Sequence, residues 1–197
     1  MTVCTLLGKG HTVQTDLLSG GADINACRNS LTYSFLDSGY DAMLFIDSDI
    51  EWPADAVLKL IEAKKPVIGG IYPKKTETED WVVVHKPGER GARLMPVTGL
   101  GGGFLLIQRT ALEKFSEFHK DRQYTDSATG KRRTVFFNGG FHHGRILSED
   151  LDFCQACIEA GIDVYAQTDI NFTHYGMKGW AGNYAEFMNR AAQEKAA

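Results

Sequence analysis

Two carboxylates one residue apart, at the end of an apolar run, are the first residues in this sequence whose spacing suggests chemistry. The segment AMLFIDSDIEW carries Met43 to Ile46 into Asp47, Ser48 and Asp49. In an extended strand, residues two apart share a face, which would set the two negative groups side by side. Unshielded, such a pair repels and one member's pKa rises. Hard divalent cations take oxygen ligands of this kind, so one reading is a metal site that compensates both charges. The other has Asp49 capping the helix that starts near Pro53 while Asp47 makes a local turn.

Further along, SEDLDF supplies Glu149, Asp150 and Asp152 behind Ser148. Carboxylates are stabilised at a helix N-terminus, so Glu149 and Asp150 read either as a capping pair or as a general base held within reach of a hydroxyl. Asp152 falls about 200° round the helix from Asp150 and reads as structural. His174, in NFTHYG, lies at a strand end, as a hydrogen-bonded residue or a ligand. In IYPKK, Tyr72, Lys74 and Lys75 end another expected strand, with lysines that either attract a diphosphate or are merely solvated. The run GLGGGFLLIQR sets Gly99, Gly101, Gly102 and Gly103 before an apolar strand. A phosphate loop would lead into a helix and carry Lys and Ser or Thr at fixed offsets. These glycines instead allow close backbone approach of a ligand, or a bulged strand entry. His142 and His143 would point in opposite directions if extended and are left unassigned. Cys154 and Cys157 form a C-x-x-C inside an expected helix without a second pair, which favours buried free thiols.

The elements that must position these groups alternate in the first half: strand TVCTLL, helix NACRNSLTYSFLDSG, strand DAMLFID, helix PADAVLKLIEAKK, strand PVIGGIY. Such alternation predicts parallel strands joined by crossover helices, and ligands then bind beyond the strands' carboxyl ends. After Tyr72 come short strands, WVVVH and GFLLIQR, which suggest an antiparallel part. HKDRQYTDSATGKRRT is long and hydrophilic and reads as a mobile loop. A helix follows over SEDLDFCQACIEAG, with Ser148 as N-cap and Gly161 as its stop. Trp180, Tyr184, Phe187, Met188 and Ala191 trace one face of a terminal helix.

The chain has 197 residues, 43% of them hydrophobic, and a net charge of −4. That suits one domain over residues 1–197, in two halves that divide at about residue 75. No basic face marks a nucleic-acid polymer as partner. No run is long enough for a membrane span and no signal-type start is present, so the expectation is cytoplasmic.

Taken in order, ACRNSL, FIDSDIEW, VIGGIYPKK, GLGGGFLLIQR, SEDLDFCQACIEAG and NFTHYG resemble the nucleotide-sugar glycosyltransferases of the A-type fold, GT-A. The nearest type is the large inverting family 2 with its small viral and bacterial relatives. The resemblance covers nearly the whole chain and implies a Rossmann-like mixed α/β sheet, mostly parallel, flanked by helices. It implies that Asp47 lies by the ribose or the metal, that Asp49 ligates manganese or magnesium, and that His174 closes the metal site. The mixed oxygen and nitrogen set modestly favours manganese. It further implies that Arg28 sits beside the nucleotide, that Ser48, Lys74 and Gly102 join the donor-binding set, and that Asp150, then Glu149, is the base. The partners implied are a nucleoside-diphosphate sugar and a carbohydrate or other hydroxyl acceptor. The rival readings are a D-x-D phosphohydrolase, a two-metal nucleotidyltransferase and a sugar-nucleotide-binding module without turnover.

Overall fold

The computed structural model describes residues 1–88, 92–142 and 144–196. His143 lies outside the described residues. In chain order the elements are α1 (Thr2–Gly8), α2 (Ile24–Leu36), β1 (Ala42–Ile46), β2 (Ile50–Glu51), α3 (Ala56–Glu62), β3 (Val67–Gly70), β4 (Val83–His85), β5 (Leu94–Leu100), β6 (Phe104–Gln108) and α4 (Arg109–Phe118). A single 3-10 turn, Lys120–Arg122, leads to β7 (Gln123–Thr125), β8 (Arg132–Thr134), β9 (Gly140–His142), β10 (Arg145–Leu147), α5 (Glu149–Glu159), β11 (Val164–Gln167), β12 (Asn171–Tyr175), β13 (Gly179–Asn183) and α6 (Tyr184–Ala196).

The main sheet has six strands in the order β1-β6-β3-β11-β5-β4. Only β3 and β11 pair in parallel; every other neighbouring pair is antiparallel. The mixed α/β architecture is therefore present, and the expectation of a mostly parallel sheet is corrected. The reason lies in β6. β1 and β3 do point the same way, as the crossover through α3 predicts, but β6 runs between them in the opposite sense and pairs with both. Strands from either side of residue 75 thus share one sheet, with β6 inserted between β1 and β3.

Alternate residues of the central strands enter different cores, as period-2 side chains must. Leu105 and Ile107 pack with α2, α4, α5 and α6 through Phe35, Phe115, Phe153 and Tyr184. Phe104 and Leu106 pack with α1 and α3 through Leu6, Val57 and Leu60. A sheet covered on both faces explains why FLLI has no polar member.

Three sequence expectations change here. TVCTLL is helix rather than strand. The main sheet ends at β1 and β4 without it, and Leu6 is used instead to cover the α3 side, so packing overrides β propensity. HKDRQYTDSATGKRRT is a hairpin rather than a loop: Asp126 accepts hydrogen bonds from Ala128 and Thr129 N–H, Gly130 takes φ of 67°, and β7 pairs with β8. Its cationic arm is tied down by Asp37, which accepts from Lys131 and Arg133. Trp180 belongs to β13 and not to the terminal helix, which keeps Tyr184, Phe187 and Met188 against the core. Cys154 and Cys157 are free and buried, and burial pushes the Cys154 thiol up to about 12.

Candidate active site

Asp47 and Asp49 do not share a strand face. β1 stops at Ile46, and a turn closed by Ile50 N–H donating to Asp47 O at 3.2 Å carries the chain into β2. The turn sends the two carboxylates to different partners, with Ser48 exposed between them. Asp49 is not a helix cap either, since Asp55 holds that position on α3.

Asp47 meets a buried guanidinium. Arg28, on α2 and 4% exposed, donates from Nη2 to both Asp47 oxygens at 3.3 and 3.4 Å. Its Nε lies 3.3 Å from Glu149 Oε1. The same guanidinium rests against the rings of Phe45 and Phe137, 5.5 and 6.0 Å from their centroids. Among the described residues neither Nη1 nor Nε has a hydrogen-bond partner. Above it passes the glycine turn between β5 and β6: a Cβ on Gly102 would stand 1.3 Å from Arg28 Nη1, so only glycine fits. Gly103 is bound on both sides, its carbonyl accepting from Asp47 N–H and its N–H donating to Tyr72 Oη, each at 3.0 Å. Burial raises the Tyr72 phenol well above its ordinary value, which keeps it a neutral acceptor for that bond.

At the start of α5, Asp150 accepts from Gly102 N–H at 3.0 Å through Oδ2. Its Oδ1 accepts from Leu151 N–H at 2.8 Å and from the Ser148 hydroxyl. A carboxylate has about four acceptor positions; among the described residues three are filled, and the open one is on Oδ2. Glu149 is held above the ordinary carboxylate range by burial and then by the charge of Asp150, and its Arg28 partner does not fully offset these. Asp152 is fixed away from the site by a two-pronged pair with Arg122, at 2.6 and 2.9 Å.

Asp49 faces the other way, onto the small sheet β13-β12-β2. Tyr175 N–H donates to Asp49 O at 2.8 Å, and His174 lies opposite Ile50 in the ladder. His174 Nδ1 is 2.9 Å from Pro73 O, and a carbonyl can only accept, so Nδ1 carries the proton. Nε2 then points to Asp49 Oδ2 at 3.6 Å. Lys75 Nζ reaches the same oxygen at 2.5 Å. Burial works to raise the Asp49 carboxyl but is outweighed by Lys75 and His174, which hold it below its ordinary value. Lys74 turns aside: its backbone N–H donates to Asp80 O and its ammonium pairs with Asp80 at 2.7 Å.

As a ligand set for manganese or magnesium, Asp49 and His174 fit. An imidazole whose far nitrogen donates to a carbonyl is the usual orientation of a ligating histidine, and these ions keep several non-protein ligands. Asp47 is not in a close cluster with them: among the described residues no three His, Cys, Asp or Glu side chains form one. The sequence offers Lys74 and Lys75 together and only Lys74 joins the expected donor-binding set, whereas it is Lys75 that reaches Asp49. It was visible as the neighbour of Lys74, but nothing in the sequence fixed which of the two would face inward.

A scan against protein-family models finds no match, and a search of curated proteins finds none. Among solved structures, the chain is similar to the one titled "Crystal Structure of A197 from STIV", with 21% identity and a TM-score of 0.54, over 89% of this chain and 78% of that one. At that identity the likeness concerns the fold. No helix among the described residues is long and apolar enough to cross a membrane.

Proposed function

We propose that this chain is a metal-dependent glycosyltransferase of the A-type fold, moving a sugar from a nucleoside-diphosphate donor to an acceptor hydroxyl with inversion. The observation that carries the reading is convergence. Asp47 and Asp49, leaving β1 through one turn, meet Arg28, Glu149, the glycine turn and Asp150 on one side and His174 and Lys75 on the other.

Asp49 and His174 would hold the manganese or magnesium ion, which when bound supplies the charge that neutralises a departing diphosphate. Asp47 and Ser48 flank that position on the donor side, and Arg28 holds Asp47 in place. Gly102 offers backbone that a sugar can approach closely. The open position on Asp150 Oδ2 receives the acceptor proton. As the acceptor oxygen bonds to the anomeric carbon, the bond from that carbon to the diphosphate oxygen breaks, its electron pair leaves with the diphosphate, and the proton passes to Asp150. Glu149 is the substitute base.

A screen of UDP-, GDP- and TDP-sugars with manganese should show metal-dependent diphosphate release. Asp49→Ala should lose metal-dependent nucleotide binding. Asp150→Asn should keep binding and lose turnover by roughly 10²–10⁴-fold. Release from no donor, together with undiminished manganese binding by Asp49→Ala, would refute the reading.

A sugar-nucleotide-binding module without turnover is favoured by one feature: Asp150 already accepts three hydrogen bonds. Nucleotide-sugar binding with no diphosphate release would select it. A D-x-D phosphohydrolase has less support, because both oxygens of its nucleophile candidate, Asp47, accept from Arg28.

A further inference from the structure

We propose that Lys75 is a displaceable counter-ion of Asp49, competing with a divalent ion for the same carboxylate oxygen. The inference rests on the reading of Asp49 and His174 as the metal ligands and adds an order of events to it.

Three observations place the lysine. Its Nζ is 2.5 Å from Asp49 Oδ2, the oxygen that His174 Nε2 also faces at 3.6 Å. His174 Nδ1 is committed to Pro73 O, so the ring faces this oxygen only through Nε2, beyond hydrogen-bond distance, and the Lys75 ammonium makes the close contact. The lysine stem also has a built path: it crosses Gly176, where a Cβ would stand 3.2 Å from Lys75 Cδ.

An ammonium and a metal ion cannot both take Asp49 Oδ2 at bonding distance. Both side chains are about one-third exposed, at 33% for Lys75 and 39% for Asp49, so the pair is reachable from solvent and is not locked. Removing the ammonium from Asp49 unaided costs the pair; moving it onto a diphosphate replaces one anion with another. The metal is therefore taken up weakly alone and more tightly with a nucleoside diphosphate.

The test is manganese titration followed by the EPR signal of the free ion, with and without UDP, GDP or TDP, so that turnover is not the readout. Lys75→Met, which keeps the stem, should bind manganese alone roughly three- to tenfold more tightly than the wild type. It should also gain less than the wild type from added diphosphate. Lys75→Arg, which keeps a cation, should behave like the wild type. If Lys75→Met binds manganese no more tightly while Asp49→Ala abolishes binding, the metal site stands and the counter-ion proposal is overturned. If Asp49→Ala binds manganese as the wild type does, the metal assignment itself fails, and this proposal with it.

Discussion

The two aspartates of the D-x-D turn are one residue apart and have different surroundings. Asp47 is held by a guanidinium that is 4% exposed, roofed by a glycine turn and shared with Glu149. Asp49 is held by a lysine on a flexible stem and a histidine on a separate small sheet. An interior guanidinium cannot leave without stranding the Glu149 carboxylate, whose side chain is 12% exposed, whereas an ammonium at the rim can exchange with solvent or ligand. The first half of the motif is therefore part of the fold, and the second is a place where a cation can change.

That contrast breaks first at Arg28. Arg28→Ala leaves the buried Glu149 uncompensated, while Asp47, 42% exposed, is rehydrated, and should destabilise the protein by about 3 kcal/mol, read by denaturant unfolding; a loss under 1 kcal/mol would show that the guanidinium is not structural. Gly102→Ala forces a methyl group onto Arg28 Nη1 and should cost about 1–3 kcal/mol by overpacking. Glu149 sharpens the comparison through pH. Its folded pKa is raised, so the folded state holds the proton more tightly than the unfolded chain does. Its contribution to stability is present at low pH and falls as pH rises from the ordinary carboxylate value through the raised one. The Tm of the wild type should therefore drop relative to Glu149→Gln over that interval, and a constant difference would contradict the shift. Smallest is Asp49→Asn, which should change stability by no more than about 0.5 kcal/mol yet remove manganese binding.

Much of this was legible in the sequence, and the failures have physical causes. Helices α2 and α5, and strands β1, β3 and β6, follow from apolar spacing, with Ser148 and Gly161 marking the ends of α5. The reversal of β6 did not, because a fully buried strand reads the same in either direction. β5 was hidden by Pro96, and the β7–β8 hairpin by charge that Asp37, far away in sequence, neutralises. In the site, alternation predicted that Asp47 and Asp49 share a face, and the Ile50-to-Asp47 turn removed the strand on which that rule depends. Lys74 and Lys75 differ only in parity, which is set by the Pro73–Trp81 bridge and the Lys74–Asp80 pairing.

The glycine turn limits how this protein can be altered. Gly101 is closed by Tyr72 and Val82, Gly102 by Arg28, and Gly103 by Tyr72 and Asp47, so none of the three can take even a methyl group without a collision. A designer seeking a new ligand preference has no variable position on that wall. Diversity would have to be introduced from the exposed hairpins, such as the one carrying Phe141 and Ile146, and a library randomised at the turn should yield mostly misfolded clones.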